Sequence, residues 1–312
     1  MRAIKKTVFL LSYNNMGISS RNNIRKADKD VKPMHQLAFF DGMPKILDIL
    51  ACPQCRSGLA PGAKLFVCNA CGVSYPVIHE ILDARLPEHR KKAELADWSE
   101  HWSGEHQGRI SQKFFSFWRK AVFARTVRYF LNRYFPAAGV FVEAGSGTAE
   151  TSIRINKYGG ERLLVAVDIV LPVLSLCPPV MDARICADIF RLPFRSNSVD
   201  GIWNLGVMEH FTHEQIDQVL REFHRILKPK GRVILFWPGK DSVPQKMLKV
   251  VEKIINLKKR QREFHFHPDE ISQIASMRQG REILARNGFI PLFIDYGFRS
   301  LMAFKTLVGE KC

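Results

Sequence analysis

No stretch of this 312-residue chain approaches the about 18–20 consecutive apolar residues that cross a bilayer, so a membrane-spanning helix is excluded. The start is basic, but its apolar part, Thr7–Leu11, is short and no small-residue cleavage site follows it, so a secretory signal is not expected. Acidic residues are scarce. Thirty Asp and Glu stand against 47 Lys and Arg, a formal charge of +17. Such a surface favours anionic partners (RNA, DNA, phospholipid headgroups, charged glycans) without choosing among them. Part of the excess is local, because Met1–Pro33 holds eight Lys/Arg and two Asp. An even cysteine count is missing too: there are seven, four of them within 20 positions. That argues against a disulfide framework and for a metal in a reducing compartment. Internal repeats, low-complexity tracts and the phosphate-loop pattern GxxxxGK[ST] are all absent.

Apolar residues make up 46% and charged residues 25%, enough to build a core and roughly two domains. Residues 1–37 are polar and basic without periodicity and read as a disordered leader; Met34 and Met43 are both candidate starts. Residues 38–87 hold a compact cysteine-rich unit. Residues 88–137 read as a helical linker or cap, with Phe114, Trp118, Val122, Arg125 and Tyr129 on one amphipathic face. From 138 to 312 the pattern is strand, helix, strand, helix. Apolar runs at Val140–Glu143, Leu163–Val167, Gly201–Asn204 and Val233–Trp237 read as strands, and His213–Leu227 reads as a helix stopped by Lys-Pro-Lys-Gly. Such alternation predicts an α/β fold with a parallel sheet covered on both faces. A helix at Arg281–Asn287 and two strands at Phe289–Asp295 and Ser300–Leu307 predict an antiparallel edge hairpin.

The cysteines are spaced Cys52-x2-Cys55, twelve residues, Cys68-x2-Cys71. Two such knuckles supply four thiolates, the donor set of closed, structural, tetrahedral Zn²⁺. A site that has lost its metal and a rubredoxin-like iron site are the alternatives. Ile46–Pro53 before the first knuckle and Tyr75-Pro76-Val77 after the second resemble the zinc-ribbon family typified by the small activator subunit of tRNA and protein methyltransferases. The resemblance covers about 40 residues and implies a module that works beside a methyltransferase.

Val140–Glu150 reads as a strand, the glycine turn Gly145-Ser146-Gly147 and a helix start. Glu150 at that helix start would oppose a bound pyrophosphate, which disfavours NAD and FAD. S-adenosylmethionine, which carries no phosphate, fits better. Asp168 ends the next strand, 21 positions after Gly147, and suits the two ribose hydroxyls; Ile169 beside it joins the cofactor set. Further on stand Ala187-Asp188, Leu192-Pro193-Phe194, Ser198-Val199-Asp200, Glu209-His210 and Leu227–Gly231. Together with the loop these resemble the class I S-adenosylmethionine-dependent methyltransferases of the type-11 group, from about Gly139 to Trp237. The resemblance implies a Rossmann-like seven-stranded sheet ending in an antiparallel hairpin, and direct displacement of a methyl group. It implies that Glu143, Gly145, Ser146 and Gly147 line the methionine end. Asp188 would accept the adenine amino group with Ile189 against the ring, and Asn204, Leu205 and Gly206 would lie under the cofactor. Lys230 departs from the usual glycine, in a distant turn.

His210 stands where an acceptor would enter, as a general base or as a structural histidine. Residues 238–280 read as a lid insertion. Within it, 246–262 combine an apolar stripe (Met247, Val250, Ile254) with a Lys/Arg face (Lys246, Lys253, Arg260). That helix can pack on the core, meet an anionic membrane or grip RNA. The expected acceptor is a small molecule, a lipid-linked intermediate or a glycan, handled in the cytoplasm or at the inner membrane surface. An RNA methyltransferase is the second reading. A non-catalytic activator of a partner enzyme is the third, opposed by the intact loop with both Asp168 and Asp188.

Overall fold

A computed structural model describes residues 44–91, 119–239 and 271–312, apart from Ala63 and Tyr296. The expected leader 1–37 and the basic stripe 246–262 lie outside the described residues, as does most of the linker. Among the described residues no helix is long and apolar enough to cross a membrane.

The cysteine-rich segment begins with α1 (Pro44–Ile49) and continues as β1 (Leu59–Pro61), β2 (Leu65–Cys68), β3 (Ser74–Ile78) and β4 (Ile81–Asp83). Neighbours in this group pair antiparallel. β3 and β4 are joined by His79 and Glu80, both at positive φ (47° and 60°), the backbone of a tight hairpin turn that matches strand twist.

The remaining strands are β5 (Gly139–Ala144), β6 (Arg162–Asp168), β7 (Ala183–Cys186), β8 (Val199–Leu205), β9 (Leu227–Pro238), β10 (Phe289–Asp295) and β11 (Phe304–Lys311). They lie in the order β7-β6-β5-β8-β9-β11-β10. The pairs from β7 to β9 are parallel and β11 runs antiparallel to both its neighbours. Val140–Val142 and Leu163–Val167 are apolar on both sides because both faces of a parallel sheet are covered. These seven strands are the expected class I sheet with its terminal hairpin. The ribbon does not stand apart from it. β4 pairs with β7 in parallel, Leu82 opposite Ile185 and Asp83 opposite Cys186, so one sheet of eleven strands runs through both segments.

Three details depart from the sequence reading. β7 was not among the apolar runs; it is four residues long, and its Arg184 reaches back to Glu80 of the ribbon hairpin at 3.2 Å. The helix expected after the glycine turn is a single 3₁₀ turn, Glu150–Ser152. Ala149 enters it left-handed (φ 50°), the chain continues through β-branched Thr151, Ile153 and Ile155, and Gly159-Gly160 follows. The last strand begins at Phe304, not Ser300, because the Ser300 hydroxyl accepts the Phe304 N–H at 3.0 Å and closes a loop there.

α2 (Ala124–Tyr134) buries Val127, Phe130 and Leu131. Its carboxyl end is held by Arg162, which is 1% exposed. The guanidinium donates to Leu131 O (3.2 Å), Phe135 O (2.9 Å), Pro136 O (2.8 Å), Asn156 O (3.3 Å) and Asn132 Oδ1 (3.0 Å). A cation there satisfies carbonyls that a helix end leaves open and meets the negative end of its dipole. α3 (Leu171–Leu174) is one turn, and α4 (His213–Ile226) opens with a capping box of Thr212 and Gln215. α5 (Met277–Arg286) precedes the hairpin, with Ser276 accepting from the Gln279 N–H. Replacing the clamp, Arg162→Met, is expected to cost about 3 kcal/mol, because several buried carbonyls lose their donor together. Urea denaturation of the variant against the unaltered protein measures it.

Candidate cofactor site and metal centre

Cys52 and Cys55 flank the turn after α1, and Cys68 and Cys71 bracket the turn between β2 and β3. Their four sulfurs lie within 4.8 Å of one another. A tetrahedron with Zn–S bonds of about 2.3 Å has edges of roughly 3.8 Å. The pairs Cys52–Cys71 at 3.7 Å and Cys55–Cys68 at 3.3 Å therefore fit such an ion. The buried Tyr75 hydroxyl lies 3.1 Å from Cys52 Sγ, where it can donate a hydrogen bond to a ligating thiolate.

The glycine turn follows β5, and Asn204–Gly206 end β8, the strand on its other side. This is the point where strand order reverses, the usual crevice for a ligand of an α/β sheet. Gly145 is left-handed (φ 72°), and a Cβ there would stand 2.6 Å from Val207 Cγ2, so the loop after β8 closes over the turn only because residue 145 is glycine. The N–H groups of Gly145 and Ser146 both donate to Val167 O, and Gly147 N–H donates to Asp168 Oδ2 at 2.8 Å. Asp168 Oδ1 accepts from Val170 N–H at 2.9 Å. Burial pushes the Asp168 carboxyl above its usual range, and the backbone N–H groups of Val170, Gly147 and Ile169 pull it back.

Glu143 is buried at the end of β5 and turned toward the 3₁₀ turn, accepting from Ser152 Oγ (2.7 Å) and Thr151 Oγ1 (3.4 Å). Desolvation lifts it from 4.5 to about 7 against the pull of the Ser152 hydroxyl. Asp188, beyond β7, accepts from Phe190 N–H through Oδ1 at 2.9 Å. Ile189 is half-buried against the core. Asn204 is fully buried, and neither atom of its amide has a hydrogen-bond partner. Leu205 is partly buried beside it, and Gly206 turns the chain at φ 70°. His210 closes a short 3₁₀ turn with its Nε2 4.0 Å from Glu209 Oε1.

The structure thus gathers Gly145, Ser146, Gly147, Asp168 and Ile169 with the end of β8, and it turns Glu143 toward the chain's own hydroxyls. It also brings in residues that the sequence reading left in the ribbon and linker. Arg85 donates to both oxygens of Asp83 at 2.9 Å and reaches Ile169 O at 3.4 Å. His89 Nδ1 lies 3.3 Å from Asp188 Oδ2. On the far side of the same loop the first knuckle is docked. Ala51 N–H donates to Pro193 O, Arg195 N–H donates to Ile49 O, and Arg56 reaches Leu192 O and Glu222. The signal that could have found these residues was Ile81-Leu82 followed by Asp-Ala-Arg, a short strand ending in charge. The hairpin that aims it depends on an unusual non-glycine pair in the turn.

A parallel sheet with a glycine turn and two strand-end carboxylates beside its switch point is the architecture of a class I methyltransferase domain. Accordingly, residues 142–235 match the family described as methyltransferase domain, residues 44–79 match Trm112p-like protein, and the chain carries both. An uncharacterized protein of Methanocaldococcus jannaschii is 39% identical over 62 residues, 20% of this chain. The malonyl-[acyl-carrier protein] O-methyltransferase of Methylovorus sp. is 26% identical over 118 residues, 33% of this chain. The chain spans 26% and 38% of the length of these two relatives. Among solved structures, a chain of the complex between the Haloferax volcanii Trm112 methyltransferase activator and a putative methyltransferase is similar, with a TM-score of 0.48 and 16% identity over 68% of this chain and 97% of that one.

Two measurements follow from the geometry. Elemental analysis should find one zinc per chain. Cys52→Ser should lose it, and Tyr75→Phe should bind it about 10–100-fold more weakly in chelator competition. The Glu143 carboxyl, raised from 4.5 to about 7, stabilises the fold fully below pH 4.5. That contribution is lost as the pH rises to 7, by about 3 kcal/mol. Urea denaturation at pH 5 and pH 7.5 should show Glu143→Gln gaining on the unaltered protein over that interval.

Proposed function

We propose that this protein is an S-adenosylmethionine-dependent methyltransferase whose acceptor is a small molecule, a lipid-linked intermediate or a glycan. The observation that carries the reading is the hydrogen bond from Gly147 N–H to Asp168 across neighbouring parallel strands. It ties the glycine turn to the carboxylate suited to ribose, and leaves that carboxylate with lone pairs to spare. Asp188 takes the adenine amino group, Ile189 covers the ring, and Asn204, Leu205 and Gly206 lie under the cofactor at the end of β8. When bound, S-adenosylmethionine supplies an activated methyl group on a sulfonium. The chain's residues align the acceptor and exclude water. His210 takes a proton where the acceptor must lose one, with Glu209 beside the imidazole. Similarity to an enzyme named for a carrier-borne acid supports a small acceptor. The reduced cysteines fit a cytoplasmic setting.

The test uses purified protein, labelled methyl donor and an extract of the source cells. Label in the organic-soluble or small polar fraction, lost in Asp168→Ala, is the expected outcome. Nuclease-released label in RNA would overturn the acceptor class and assign the +17 charge to RNA. Failure of the intact protein to bind S-adenosylhomocysteine would replace the enzyme by an activator.

A further inference from the structure

The direction of β4 decides what the ribbon delivers to the site. Because β4 runs parallel to β7 in register, the chain leaving it emerges at the same end of the sheet as the chains leaving β6 and β7. An antiparallel β4 would have sent it to the opposite end. Ala84 N–H donates to Cys186 O at 2.8 Å and continues the ladder one residue past the strand. The next residues then stand against the two carboxylate loops. Arg85, locked on Asp83 by two hydrogen bonds, spends a further donor on Ile169 O. The 3₁₀ turn His89–Lys91, anchored by His89 N–H to Leu86 O at 2.9 Å, presents the imidazole to Asp188.

Asp188 is then held from two sides. Its Oδ1 accepts from Phe190 N–H at 2.9 Å, and its Oδ2 lies 3.3 Å from His89 Nδ1. Its side chain is 20% exposed and that of His89 24%, so the pair sits at an open rim, unlike buried Asp168. One hydrogen bond and one close imidazole contact, on different oxygens, define the plane of the carboxylate, and each oxygen keeps a lone pair.

We propose that His89 is a positioning residue for recognition of the adenine ring. In the Nδ1–H tautomer it donates to Asp188 Oδ2, fixes the carboxylate toward the 6-amino group, and forms the outer edge of the adenine slot. The inference rests on the cofactor reading above and adds a determinant outside both matched segments, 44–79 and 142–235.

Titration calorimetry with S-adenosylhomocysteine and S-inosylhomocysteine tests it. The second ligand carries a carbonyl where adenine has its amino group. The unaltered protein should prefer the adenosyl ligand. His89→Ala should weaken that ligand about tenfold, the scale of one hydrogen bond to a charged group, and change the inosyl ligand less than about twofold. His89→Asn, which returns an N–H near the Nδ1 position, should restore most of the preference. Equal weakening of both ligands, or unchanged preference in His89→Ala, would overturn the proposal while leaving the cofactor reading intact. An unaltered protein that binds neither ligand would overturn both.

Discussion

Everything else in this molecule is arranged around the parallel pairing of β4 with β7. A strand pair has a direction, and the direction chooses which end of the sheet receives the following chain. Here two residue pairs, Leu82 with Ile185 and Asp83 with Cys186, fix it. So short a ladder would not hold by backbone hydrogen bonds alone. It is backed by apolar packing, since Ile46, Leu50, Phe66, Tyr75 and Leu82 share one buried cluster with Val165, Val167, Ile185 and Phe194. The ribbon and the larger domain therefore have no separate cores, and the free edge that β7 would otherwise expose is covered.

Charge reinforces the same junction. Buried Asp83 is chelated by Arg85 and approached by Arg90 at 3.6 Å. Buried Glu222 on α4 receives Arg56 from the knuckle, Arg225 from its own helix and the Leu192 N–H. A carboxylate taken out of water is costly unless its lone pairs are met, and both have several donors. Arg56 holds its place at φ 68°, a backbone that the metal-bound turn can impose on a non-glycine residue. Metal affinity in a small ribbon is folding energy. Through Ala51 and Arg56 that energy reaches the Leu192–Arg195 segment, four residues beyond Asp188.

Much of the sheet and both cysteine knuckles were legible, because each has a local signature. Val140–Val142 and Leu163–Val167 are runs that only a doubly covered strand needs, and the spacing of Cys52, Cys55, Cys68 and Cys71 is set by tetrahedral ligation. The spacing of Gly147 and Asp168 marked the glycine turn and the next strand end, and the hydrogen bond between them is what the structure adds. What escaped was non-local. Ala183–Cys186 is a strand because neighbours on both sides make it one, and its arginine is explained only by Glu80 of the ribbon. The shortened segment after the glycine turn follows from a left-handed Ala149, which no propensity announces. His89 fell into a stretch that read as linker, since its meaning depends on where a hairpin 10 residues earlier points it.

Asn204 is the one buried side chain in the candidate site that the fold leaves without hydrogen bonds on either of its amide atoms. The same fold meets a harder group in the five contacts of Arg162, and among the described residues a few other buried atoms, Trp203 Nε1 and Thr306 Oγ1 among them, also stay bare. An unmet buried amide costs about 1–3 kcal/mol for each group left bare, and a leucine of similar size would remove that cost. Its place is the end of β8, at the switch point, one strand from the glycine turn. Departures from local rules concentrate at functional sites, and the neighbouring Trp203 Nε1 is bare as well. Asn204 is fully buried, so the folded chain itself carries that cost, in the segment that the cofactor proposal places under the ligand.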